Sequence, residues 1–380
     1  MAINLLILTS YFATKPEDIQ GGVGYRYAGL YGSLIKKLLE TRPESKVFWY
    51  SHSDTFVRSI DKKGIISKEM SMFQAVTYVL DKSSKEKSKL VVIVAFPHGC
   101  PKTTKLLDYF FSLITLKLAH LSVKIFVDYF DPPIQARSAF NARPPSIFAK
   151  AYFQLLEMLT LKLANKIIVL NKFWIEDLVK RYRLSSQKFL TIPNGALINL
   201  IGYHPPVFQR PVKILYAGIA AKSRGIDNLI NVVSKLNKEG LKTSLYIGCG
   251  TMSLPNWVNA FQLNWPEFVQ KVLLPSDICV LPYPPGKVFF DRIPSVKLFD
   301  YMAAGKPVIS TDLPEVKELF TSFSCGLVAK DWNQFRQYIE KLSHDKELAK
   351  TLGMNGRKAV LTYFDYDKLA KKLLHNILKE

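Results

Sequence analysis

Short, β-rich apolar runs alternate along the chain with longer stretches whose apolar residues recur at helical spacing. Such alternation predicts parallel sheets assembled from βαβ units. In the first half the runs fall at residues 5–10, 46–51, 90–96, 123–129, 166–170 and 189–192. The series pauses over 196–212, which carries Pro205, Pro206 and Pro211, and resumes at 213–218, 244–248, 277–283, 307–311 and 326–329. Two doubly wound α/β domains, 1–200 and 201–363, are therefore expected to join near residue 200. Ligands of such sheets bind at the carboxyl ends of the strands, so two facing sheets predict an interdomain cleft. The pattern also predicts a polar, lysine-rich connector at 82–89 and apolar helices with basic ends at 102–124 and 146–166. An amphipathic helix at 367–379 carries Leu369, Leu373, Leu374 and Ile377 at helical spacing.

Composition narrows the class. A chain of 380 residues with 48% hydrophobic content can bury a large core, and its size favours two domains over one. Cys100, Cys249, Cys279 and Cys325 form no CxxC pair and no metal-ligand spacing, so reduced thiols in or near the core and no metal are expected. The opening MAINLLILTSYF lacks a basic leader and is too short for a signal or an anchor; nor does any segment reach the ~20 apolar residues of a spanning helix. The expectation is a cytoplasmic protein, soluble or peripheral on a membrane. Net charge is +21, with 28 basic and 15 acidic side chains in residues 1–195 against 24 and 16 in the remainder. Such a surplus attracts polyanions, whether nucleic acid, an anionic membrane or a phosphorylated substrate. Interleaved aromatic and basic motifs of nucleic-acid binders are missing, which disfavours the first of these.

Residues 294–318, PSVKLFDYMAAGKPVISTDLPEVKE, read as a helix feeding a strand. Pro294 suits a first turn, Ser295 can accept from a free backbone N–H, and Gly305 suits the stop. Asp300 lies about one and a half turns into this helix between Leu298-Phe299 and Tyr301-Met302, where a carboxylate can accept two hydrogen bonds from a ribose diol. The stretch resembles the signature of the retaining, GT-B-fold glycosyltransferases of family 4 (glycosyl transferases group 1), in which a helix of the form (P/S)-x-K-x-x-E-Y-M-A-x-G-K-P-V-I carries the ribose-binding acid. Asp300 takes that acid's place, one methylene shorter. The resemblance implies a second glutamate eight residues earlier, touching the donor sugar; Arg292 stands there, with Asp291 beside it.

Other stretches fit the same family. Gly21-Gly22-Val23-Gly24 follows the first strand and precedes an amphipathic run; glycines there let backbone N–H groups approach a phosphate, and Arg26 adds charge. This places Gly22, Gly24 and Arg26 among the expected donor contacts. It is not a GxGxxG followed by an acid, so a dinucleotide is not expected. Residues 191–195, TIPNG, resemble the motif closing the first domain, and 213–230, KILYAGIAAKSRGIDNLI, resemble the opening of the second. The resemblance implies a pyrophosphate clamp after Gly218, for which Lys222 and Arg224 are candidates while Ile219 replaces the family's arginine. Gly248 and Gly250 resemble the family's second glycine pair, and Ser295 and Lys297 complete the expected donor site. Tyr283, between Pro282 and Pro284, reads as a rigid wall.

Retaining transfer needs the departing phosphate stabilised and the acceptor hydroxyl oriented, and Lys and Arg can supply the positive field without a metal. Asp128 and Asp131, at the end of the strand near 124–127, are candidate acceptor-orienting groups, and His98 ends another strand. The resemblance implies two Rossmann-like domains of the GT-B type, with helix 364–380 returning onto the first. It also implies transfer of a hexose, with retention, from a nucleotide-diphosphate sugar, probably UDP-linked, to a glycan or lipid-linked acceptor, without metal or other cofactor. The alternatives are a nucleotide-sugar epimerase or phosphorylase on this fold, and a protein that binds nucleic acid in a basic cleft.

Overall fold

The computed structural model describes residues 2–19, 21–97, 106–119, 123–140 and 146–380. One sheet holds β1 (Ile3–Thr9), β2 (Lys46–Ser51), β3 (Phe56–Asp61), β4 (Gly64–Glu69), β5 (Lys89–Phe96), β6 (Lys124–Tyr129), β7 (Lys166–Val169) and β8 (Phe189–Thr191). Their order is β4-β3-β2-β1-β5-β6-β7-β8, parallel except at the β2–β3 and β3–β4 pairs. The second sheet is wholly parallel, ordered β11-β10-β9-β12-β13-β14. It holds β9 (Val212–Ile219), β10 (Thr243–Gly248), β11 (Asn259–Phe261), β12 (Ile278–Leu281), β13 (Val308–Thr311) and β14 (Gly326–Ala329). All seven residues of β1 and all four of β12 are buried, as strands covered on both faces require.

Each sheet reverses its winding beside its first strand, at β1/β5 and at β9/β12. A crevice opens where such a reversal occurs, at the carboxyl ends of the strands. The chain leaving β1 enters the helix Gly21–Arg26, and the chain leaving β9 enters the turn Lys222–Arg224. Topology thus delivers both glycine-bearing segments to the cleft.

Three strands escape the hydrophobic pattern. Every residue of β4 is exposed, Ile66 by 75%, and β11 spans only three residues, so neither leaves an apolar run to read. β3, with a single ladder partner on each side, forms a hairpin with β4 at the sheet edge. The polar connector expected at 82–89 is also corrected, because the helix Met72–Lys85 runs through its first half. Ser71 and Gln74 close a reciprocal capping box at its start, and buried Ser83 accepts from Asn4 Nδ2 at 3.0 Å, while Lys85 and Lys87 are exposed.

The last helix, Tyr366–Lys379, buries Leu369, Leu373, Leu374 and Ile377 and packs on Gly32–Thr41 of the first lobe. Ala196 ties down its entrance, donating to Phe364 at 2.8 Å and accepting from Tyr366 at 3.1 Å. Lys37 pairs with Asp367 at 3.3 Å across the helix contact. Among the described residues, no helix is long and apolar enough to cross a membrane.

Candidate functional site

A cleft of about 810 Å³ separates the two sheets and is lined from both. The helix Val296–Ala303 forms its second-lobe wall by burying Leu298, Phe299, Tyr301 and Met302, a packing that holds Asp300 and Lys297 on the cleft. Ser295 does not cap this helix; its hydroxyl accepts from Lys297 Nζ at 3.0 Å.

Asp300 is 4% exposed and engaged at both oxygens. Trp265 Nε1 donates to Oδ2 at 3.2 Å, and the Tyr25 hydroxyl, reaching across from the first lobe, donates to Oδ1. Burial pushes the carboxyl up to about 7, against the opposing pull of the Tyr25 and Trp265 hydrogen bonds and of the Lys297 charge. One turn away, Lys297 Nζ donates to the Tyr283 hydroxyl at 2.7 Å, with its charge 5.5 Å from the Tyr216 ring centre. Burial lowers this ammonium's pKa. Burial would raise the Tyr283 phenol, but Lys297 and Arg224 overcome it and bring it down to about 7. Tyr283 is therefore a chemical partner of the cations as well as a wall.

Arg224 reaches the cleft from the turn Lys222–Arg224 and stacks 4.8 Å from the Phe140 ring centre; burial would lower its pKa, but the nearby Tyr216 and Tyr283 phenols raise it. The turn closes at Gly225, whose φ of +75° suits glycine and where a Cβ would lie 1.9 Å from the Pro282 carbonyl oxygen. Gly218, Gly248 and Gly250 line the cleft nearby. A Cβ on Gly250 would meet Ala220 backbone nitrogen at 2.4 Å, so the loops after β9 and β10 pack main chain on main chain.

Several expected contacts lie elsewhere. Gly22 lines the cleft, but Gly24 packs against the Tyr11 hydroxyl and does not. Arg26 is fully buried beneath it, its Nε and Nη2 donating to Asp128 at 2.9 and 2.8 Å. The same guanidinium donates to the carbonyls of Ile192 and Pro193 at 3.3 and 3.2 Å. A cation so occupied holds the first lobe together and is not a phosphate ligand. Asp128 is corrected with it, since Tyr31 adds a third donor at 2.7 Å and no carboxylate edge faces the cleft. Lys222 is exposed and off the lining, while Asp131 is on it. His98 and Cys100 lie outside the described residues. Arg292, at the place of the family's glutamate, also leaves the cleft, stacking 4.5 Å from the Phe173 ring centre and pairing with Glu315 at 3.5 Å. Phe130, Phe140, Phe289 and Phe290 give that part of the cleft an aromatic wall. Tyr25, Trp265 and Phe140 were not readable as site residues, because only the chain's return paths bring the first two to Asp300 and Phe140 to Arg224.

The model of the glycosyl transferase-like family matches residues 278–375, which contain Lys297 and Asp300. The two-lobed fold is of the GT-B type, and residues 278–375 within it are similar to the glycosyl transferase-like family. Sucrose-phosphate synthase from Thermosynechococcus elongatus superposes with a TM-score of 0.66 at 14% identity, covering 100% of this chain and 99% of its own. A glycosyltransferase from Rickettsia africae gives 0.61 at 15% identity, covering 100% and 99%. Anabaena HepE, in complex with UDP, gives 0.58 at 14% identity with both chains fully covered. No curated protein sequence matches the chain.

Proposed function

We propose that the protein transfers a hexose from a UDP-linked sugar to a glycan or lipid-linked acceptor with retention of configuration. The observation carrying this reading is that a carboxylate, Asp300, and two cations, Lys297 and Arg224, line one cleft of this fold. Asp300 would accept both hydroxyls of the ribose, while Lys297 and Arg224 would hold the diphosphate. In the transfer, the bond from the anomeric carbon to the phosphate oxygen breaks and a bond from the acceptor oxygen to that carbon forms on the same face. The acceptor proton passes to the departing phosphate oxygen, whose growing charge the two cations stabilise. Because these side chains carry the positive field, activity is expected to persist in EDTA. Asp131, on the first-lobe wall, is the described candidate that lines the cleft and would orient the acceptor. HepE crystallised with UDP and with UDP-glucose, and TarM with UDP and a GlcNAc-glycerol, which support a UDP-sugar donor and a glycan-type acceptor.

The acceptor side adds a membrane. Phe111, Ile114 and Leu118 on the helix Leu106–Leu118, and Ile147, Phe148 and Leu155 on the adjacent helix Ile147–Leu163, are exposed. Large apolar side chains on a strongly basic lobe suit an anionic lipid surface, where a lipid-linked acceptor is presented. Thermal-shift titration with UDP-sugars, GDP-sugars and oligonucleotides tests the donor class, followed by mass spectrometry of the product. Stabilisation by oligonucleotides alone would sink the transferase reading.

A further inference from the structure

Both oxygens of Asp300 are taken by donors of the protein itself, and those donors come from different lobes. Trp265 belongs to the second lobe, but Tyr25 rises from the glycine-bearing helix Gly21–Arg26 of the first. The Tyr25 hydroxyl also accepts from the Leu197 backbone N–H at 3.0 Å, in the segment joining the lobes. Its ring lies 5.5 Å from that of Trp265 and 5.8 Å from that of Tyr366 on the returning last helix. One phenol therefore links the first lobe, the crossover and the proposed ribose acid, with Tyr25 and Asp300 at 2% and 4% exposure.

We infer that Tyr25 is an interlobe latch that occupies the nucleoside site of the closed protein, its hydroxyl and the Trp265 N–H standing where a nucleoside's two ribose hydroxyls would donate. The inference rests on the donor reading above. A carboxylate has acceptor capacity on each oxygen, but a buried one cannot take a ribose diol while a phenol and an indole fill its accessible edge. Binding then requires the Tyr25 bond to break, so nucleoside exchange is coupled to separation of the lobes. Apparent affinity is reduced by the fraction of protein that is latched. The phenol is a positioning residue: in the proposed reaction it competes for Asp300 and does not touch the reacting atoms.

The test is calorimetric titration of the full chain with UDP, uridine and inorganic pyrophosphate, in wild type, Tyr25→Phe and Trp265→Phe. Tyr25→Phe keeps the ring packing and removes only the hydroxyl. It should tighten uridine and UDP by about 3- to 10-fold, from loss of a competing hydrogen bond, and leave pyrophosphate unchanged. Trp265→Phe should shift uridine in the same direction. A purely structural role would lower the thermal midpoint of Tyr25→Phe without tightening uridine. Unchanged or weaker uridine binding in a folded Tyr25→Phe protein, or an equal shift for pyrophosphate, overturns the latch while leaving the donor reading intact. If wild type and both variants bind neither UDP nor uridine, the donor reading itself fails and the latch falls with it.

Discussion

Asp300 and Lys297 sit one turn apart yet answer to opposite demands. Burial favours the neutral carboxyl of Asp300 and raises it to about 7, whereas a ribose diol needs the ionised acceptor. Uridine affinity is therefore expected to rise as pH increases through about 7; titrations between pH 5.5 and 8.5 should show this slope in wild type and a smaller one in Asp300→Asn, where Tyr283, also brought to about 7, still titrates. Stability moves the other way. Between the unfolded value near 4 and the folded value near 7, the folded state holds the extra proton, so this group's contribution is present at low pH and is lost as pH rises. The loss is about 4 kcal/mol at most, and the gap in thermal midpoint between wild type and Asp300→Asn should change across that window. In the proposed transfer Lys297 has a different task, to meet charge that grows on the leaving group. Lys297→Ala should lower kcat by about 10²- to 10³-fold, with a smaller change in substrate KM, as steady-state assays would measure.

Among elements, the glycine-bearing helix Gly21–Arg26 shows how far residue type can mislead. Glycines followed by an arginine after a strand read as a phosphate loop, yet Arg26 lies beneath the cleft, buried against β6 and the segment 192–194. Charge and spacing are visible in the sequence; the depth at which a side chain ends is set by the sheet beneath it. Removing one partner of such a buried pair leaves an uncompensated charge, so Arg26→Ala should destabilise the protein by about 3–5 kcal/mol in urea unfolding. A double replacement of Arg26 and Asp128 by apolar residues of similar volume should recover much of that loss. Strands buried on both faces were legible, since continuous apolar runs follow from their environment. The β3–β4 hairpin was not, because an exposed edge strand carries no burial pattern.

For the whole molecule, charge and exposed apolar surface act together. The basic excess of residues 1–195 lies in the lobe that exposes Phe111, Leu118, Ile147 and Phe148. Flotation with vesicles containing anionic lipid should retain the protein at low salt and release part of it at high salt, at about 1 kcal/mol of attraction per basic side chain near the surface. Phe148→Asp should weaken flotation at both salt levels without altering UDP binding, and an unaltered flotation profile would remove the membrane from the proposal.

The sequence alone determined the parallel-sheet architecture, the acid-bearing helix at 296–303 and the lysine one turn before the acid, because burial period and helical spacing are local consequences of residue order. Only the tertiary structure decided which charges face the cleft. Arg26 and Arg292 turn away into buried or lateral pairs, Arg224 turns in, and Tyr25 crosses from the other lobe to Asp300. Those outcomes depend on contacts between residues as far as 275 positions apart, which no local pattern encodes.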